Sequence, residues 1–158
     1  MEITPRNFVK TLSLIHIVLA AGPLSVAIFM YFTNTSEVNN TTESDMFIYV
    51  FPAIGLLGIF GSMYMFNLLL KNLKKLKTLK PMLMGYQKAA IVKYTLIEGP
   101  AFLNIIWFSI TGNFLYLTVG GTLILYLFIQ RPKAEKIEKD LELNRELKTQ
   151  FYKLDTSL

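Results

Sequence analysis

The chain has 158 residues, 53% of them hydrophobic and only 17% charged, with a mean hydropathy of +0.42. A soluble domain this small has too much surface for its volume to hide so many apolar side chains, so the composition excludes an ordinary water-soluble fold and points to lipid. The formal net charge of +5 does not signal nucleic acid, because the charges lie between and after long apolar runs and not on one phosphate-binding face.

Cysteine is absent and there is a single histidine, so disulfides, thiol chemistry and a conventional zinc or haem site are not expected. The first apolar run, Phe8 to Phe32, is too long for a signal-peptide core and lacks a small-x-small cleavage site, which makes it a retained span. It is predicted to cross over residues 9–33. A polar loop from Asn34 to Asp45 follows, with Glu37, Glu43 and Asp45 and no lysine or arginine. In it Asn34-Thr35-Ser36, Asn39-Asn40-Thr41 and Asn40-Thr41-Thr42 match the glycosylation pattern, which matters only in a eukaryotic secretory pathway.

The second span is predicted over 46–70 and stops at Lys71. A basic linker carries Lys71, Lys74, Lys75, Lys77, Lys80 and Lys88 and is broken by Pro81 and Gly85. The third span is predicted over 89–110, and Thr111-Gly112-Asn113 reads as a tight turn, Gly and Asn being suited to the left-handed conformation. The fourth, over 114–130, is the shortest and stops at Arg131-Pro132. Each run approaches the ~20 residues that cross ~30 Å of hydrocarbon.

All 16 lysines and arginines lie at the N-terminus, in the second loop, near the start of span three or in the tail. The positive-inside rule then places both termini and the second loop in the cytoplasm. The tail from Arg131 to Leu158 is charged in both signs and has a weak apolar stripe of Leu141, Leu143, Leu147, Phe151 and Leu154. With Pro132 in its first turn it reads as a helix, solvated or resting on the other helices or on headgroups, or else as a partner-docking helix.

Leu19-Ala20-Ala21-Gly22-Pro23 in span one aligns with Leu96-Ile97-Glu98-Gly99-Pro100 in span three, and Phe47-Ile48-Tyr49-Val50 with Phe114-Leu115-Tyr116-Leu117. The match suggests a duplicated two-helix hairpin. Each proline leaves the carbonyl four residues back without its donor, so kinks are expected at Gly22-Pro23 and Gly99-Pro100.

Glu98 is the outstanding candidate for chemistry. It lies about 15 Å from Lys88 along a helix, near the bilayer centre. An ionisable group at that depth costs at least ~2.5 kcal/mol, so it is expected to be protonated or to hold a cation. In transporters such an acid exchanges protons or cations; the structural alternative is a neutral carboxyl hydrogen-bonded across the helices. Tyr94, Thr95, Ala101, Phe102 and Ile105 share its helix face.

His16, about 9 Å in from Lys10, stands level with Lys93 and Tyr64 and is a candidate proton relay or a packing residue. Lys93 is expected to snorkel to the headgroups or to pair with Glu98. Gly55, Gly58, Gly61 and Ser62, and Thr118, Gly120, Gly121 and Thr122, are small residues that let helices approach, or line a cleft against Glu98. Asn67 and Asn104 are expected to bond between helices, and Trp107 and Phe108 to fill the core or an interfacial belt. No nucleophile–base pair, phosphate loop or dinucleotide fingerprint occurs, so enzymatic activity is not expected.

The Glu98-Gly99 pair, the Gly112-Asn113 turn and the tail, Arg131-Pro132-Lys133-Ala134-Glu135-Lys136 followed by Asp140-Leu141-Glu142-Leu143, resemble a group of uncharacterised small four-span bacterial membrane proteins. Size, four spans, the internal match and a buried Glu are also similar to the duplicated proteolipid rotor subunits of rotary ATPases. The chain departs from that pattern in lacking a glycine-repeat helix and in carrying its Glu on the first helix of the second hairpin. Small multidrug exporters likewise place a Glu mid-membrane in four spans, but they are shorter and lack the charged tail.

The expectation is an all-α polytopic membrane four-helix bundle over residues 1–131, arranged as two duplicated helical hairpins, with a cytoplasmic charged helical tail over 132–158. The resemblance to bacterial proteins implies the inner membrane. The leading function is proton- or cation-coupled transport through Glu98; the rival is an accessory or scaffold subunit that docks a partner or anionic lipid through its basic loop and tail. Expected partners are the bilayer and further copies of the chain or a larger membrane complex. No nucleic acid, cofactor or metal is expected.

Overall fold

The structure is a computed structural model that describes residues 4–34, 46–153 and 158. Most of the loop carrying the glycosylation triplets lies outside the described residues, as does Leu154. The described residues form six helices and no strands: α1 (Pro5–Thr33), α2 (Phe47–Leu73), α3 (Leu79–Thr111), α4 (Phe114–Ile129), α5 (Ala134–Leu141) and α6 (Arg145–Tyr152).

Three of them, α1, α2 and α3, are long and apolar enough to cross a membrane. With 16 residues, α4 reaches only about 24 Å, and it qualifies as a span only when joined to α5, from which it is bent by 84°. Large apolar side chains point outward along these helices, with Leu57 70% and Ile129 78% exposed, an inside-out pattern that suits a lipid surround and not water.

Local chemistry explains the helix ends. The Thr4 hydroxyl accepts from the Asn7 amide at 3.3 Å, and Pro5 at the first helical position has no N–H to leave unpaired. The expected turn after α3 is present: Gly112 adopts φ 68°, and Asn113 caps α4 by accepting from the Leu115 amide at 2.9 Å.

α3 begins ten residues before the predicted span, inside the segment read as a linker. Pro81 sits in its first turn, where the missing N–H is harmless. Leu79, Met82, Leu83, Tyr86, Ala89 and Ala90 form a buried stripe at helical spacing. The interspersed lysines hid that periodicity.

α3 is the helix on which the others pack, touching α1, α2 and α4. α3 and α4 form a packed hairpin, whereas α1 and α2 make at most marginal contact. Glycines direct this arrangement. A β-carbon on Gly58 of α2 would lie 2.6 Å from the Leu96 carbonyl oxygen and 2.7 Å from Pro100 Cγ. On Gly120 of α4 it would lie 3.1 Å from Ile105 and 3.2 Å from the Ala101 carbonyl oxygen. Gly61, Gly99 and Gly121 face open space, so only some of the small residues expected to bring helices together do so.

The tail is two short helices, not one. Glu142 takes φ 51° between them, Asn144 caps α6, and Pro132 precedes α5 instead of opening it. Ile137 and Leu141 of α5 and Leu147 and Phe151 of α6 are buried and belong to the main apolar core. They pack on α2 and α3. Glu138 accepts from Lys148 at 2.7 Å and from the Tyr152 hydroxyl at 2.6 Å, contacts that hold its carboxyl below the usual range. The helices therefore have two distinct ends. One gathers the start of α1, the α2–α3 connection and the tail, and is basic; the other holds a second, aromatic core of Phe51, Phe108 and Tyr116.

Candidate functional site

Glu98 sits in the middle of α3, half-buried, at the border between packed and outward faces. Ala101 and Ile105 turn inward, while Thr95 is exposed and bonded to its own helix at the Ile91 carbonyl, 3.0 Å away. The carboxyl lies toward α1: a methyl added to Gly22 would stand 3.7 Å from Glu98 Oε1 and 3.7 Å from Phe102. Gly22 thus meets Glu98, whereas Pro100 lies against Gly58 of α2, and both helices run unbroken through Pro23 and Pro100. Among the described residues, Glu98 makes no hydrogen bond and no ion pair.

Its proposed partners are elsewhere. Among the described residues, Lys93 does not pair with Glu98 but turns into the packed helices. It is 7% exposed, donates to Gln130 Oε1 at 2.7 Å and lies 4.8 Å over the Phe66 ring. The five-residue separation from Glu98 turns it roughly 140° around the helix, toward α2 and α4. Tyr64 is 69% exposed, away from His16. Thr122 is exposed and bonded to the Thr118 carbonyl at 2.8 Å, within α4.

A polar cluster forms at the basic end instead. His16 is 1% exposed and donates from Nε2 to the Leu127 carbonyl at 2.8 Å. Its ring meets Tyr94 edge-on at 4.8 Å. The Tyr94 hydroxyl makes a long 3.4 Å contact with the Gln130 carbonyl, and Lys136 of α5 donates to the same Gln130 Oε1 as Lys93, at 3.2 Å. One helical turn before Ala90, Tyr86 donates to Asp140 Oδ2 at 2.9 Å. Gln130 joins three elements here, although in the sequence it stands out only as the last residue of an apolar run.

Asn104 is fully buried, but it bonds within its own helix, Nδ2 donating to the Pro100 carbonyl at 2.9 Å. The expected interhelical bond is absent among the described residues, and Asn104 Oδ1 has no partner. Asn67 is exposed. Trp107 meets Phe47 at 4.7 Å and Phe51 at 5.0 Å in tilted contacts, a packed aromatic cluster. A groove of about 580 Å³ between α2 and α3, lined by Ile54, Leu57, Thr95, Gly99 and Leu103 among others, does not include Glu98.

The chain matches no protein-family model, no characterised protein and no solved structure.

Proposed function

We propose that α1 to α4 insert as a four-span bundle with both ends in the cytoplasm, and that the protein acts in proton- or cation-coupled transport with Glu98 as the exchanging group. The observation that carries this reading is the Glu98 carboxyl itself: mid-helix, half-buried, and without a partner among the described residues. A carboxyl serving as interhelical glue would have a donor or acceptor, because an unpaired polar group facing lipid is costly. An exchange site must instead give up its proton or cation, and a permanent ion pair would prevent that. The half-open α1–α3 seam favours an assembly, with a second copy closing the site that one chain leaves open.

The scaffold reading loses ground for a specific reason. The apolar stripe of the tail, its docking surface, is spent on α2 and α3 within the chain.

The carboxyl-stretch infrared band that disappears in Glu98→Gln, recorded in lipid, tests the exchange reading. It is expected to respond to pH around neutrality or to replacement of the bulk cation. A band indifferent to both assigns Glu98 to packing.

The proposed topology rests on the complete absence of Lys and Arg from the first and third loops. In this cysteine-free chain an impermeant thiol reagent is expected to label a cysteine placed at Ser36 in intact cells and to spare one at Thr78. The reverse pattern sinks the topology.

A further inference from the structure

His16 is the sole histidine of the chain, and its burial is nearly complete at 1% exposure. Its Nε2 lies 2.8 Å from the Leu127 carbonyl oxygen. A carbonyl only accepts, so Nε2 carries the hydrogen, and the neutral ring presents Nδ1 as a bare lone pair. Among the described residues, Nδ1 is buried without a hydrogen-bond partner. A buried acceptor left without a donor is uncommon enough to require a reason. The Tyr94 ring, edge-on at 4.8 Å, helps to fix the imidazole in this pose.

The place of the ring matters as much as its tautomer. His16 and Gly22 are six residues apart on α1, about 9 Å along the axis, and Gly22 is the residue against which Glu98 Oε1 lies. Six residues also turn the two about 120° apart around α1, but both meet the same face of α3, His16 at Tyr94 and Gly22 at Glu98, with the imidazole on the side of the basic end. The groups acting on the ring are Tyr94 on α3, Arg131 after α4 and Lys136 on α5, and Lys93 and Asp140 belong to the same polar cluster through Gln130 and Tyr86. Three cations against one acid in that cluster repel a metal cation, which would in addition need several ligands. A proton needs one lone pair.

We propose that His16 Nδ1 is the port through which a proton moves between the basic end and Glu98, so that the coupled ion is a proton. This rests on the reading of Glu98 as an exchanging acid. In the inward step Nδ1 takes a proton from water at the basic end, giving an imidazolium that keeps its Nε2–H bond to Leu127. The new Nδ1–H then breaks as an O–H forms on the Glu98 carboxylate, through bound water along the seam, and the original neutral tautomer returns. Running the two transfers in the opposite order releases the proton.

The full-length protein in lipid vesicles, with isotope-labelled histidine, gives a single pair of imidazole nitrogen resonances. In mildly alkaline buffer Nε2 is expected to be protonated and Nδ1 bare; the opposite tautomer overturns the proposal. This measurement needs no variant. After a pH jump, the infrared band of Glu98 is expected to respond at least roughly tenfold more slowly in His16→Gln, with its equilibrium midpoint unchanged. An unaltered rate overturns the port, as does a shifted midpoint with an unaltered rate, which marks a purely structural histidine. A histidine-dependent rate with no Glu98-dependent flux sinks transport and leaves the port standing. A Glu98-dependent flux carried by metal ions sinks the port and leaves transport standing.

Discussion

Gly58→Ala is expected to destabilise the folded protein in detergent or bicelles by about 1–3 kcal/mol, the usual range for overpacking, whereas Gly61→Ala on the same helix is expected to be silent or mildly stabilising. The added carbon at Gly58 would fall 2.6 Å from a backbone oxygen and 2.7 Å from a proline ring, neither of which can swing aside. At Gly61 nothing lies within 4 Å, so the change brings only alanine's better helix propensity. Gly58 also faces a particular carbonyl. Leu96 is four residues before Pro100, so its oxygen has no helical donor, and the glycine lets α2 close over it. Reversible unfolding of the two variants, compared with the parent, checks this. Equal stabilities would mean that α2 and α3 are not packed through Gly58.

Phe151→Asp is expected to release α6. The side chain is fully buried in the main core, and an uncompensated carboxylate there would cost several kcal/mol if it stayed. An eight-residue helix near the end of the chain has a cheaper outcome, detaching while the remaining helices persist. Hydrogen exchange should therefore rise across 145–152 and leave the centre of α3 protected, and limited proteolysis should cut the tail. By contrast, Glu142→Gln breaks the 2.5 Å pair with Lys74, whose side chains are 33% and 69% exposed, and is expected to change stability by less than about 1 kcal/mol.

Much of this architecture is legible in the sequence, and the failures are instructive. Apolar run lengths identify the long helices, and Gly112-Asn113 marks its turn, because hydropathy and left-handed backbone are local properties. The early start of α3 is obscured because Pro81 and Gly85 read as breakers unless their position in the helix is known. Glu98 is recognisable as a lone acid in an apolar run. Its lack of a partner is not, since that depends on which way Lys93 turns. The destination of Lys93 is Gln130, a residue with no signal of its own. In the tail the surrounding charges outweigh one isoleucine, so Ile137 carries no apolar signal of its own, yet it is completely buried. Asn104 illustrates the same limit: its burial follows from the helical period, but bonding to its own helix at Pro100 depends on side-chain geometry.

If Glu98 exchanges the coupled ion, ion movement into reconstituted vesicles depends on its carboxyl. Wild-type protein and Glu98→Gln, each inserted to the same level and with the same helical content, are compared under an imposed proton gradient and then under an imposed cation gradient. The glutamine keeps the size and hydrogen-bonding capacity of the side chain but cannot ionise. Ion movement is expected with the wild type and its loss with Glu98→Gln. Equal movement with both proteins would contradict it.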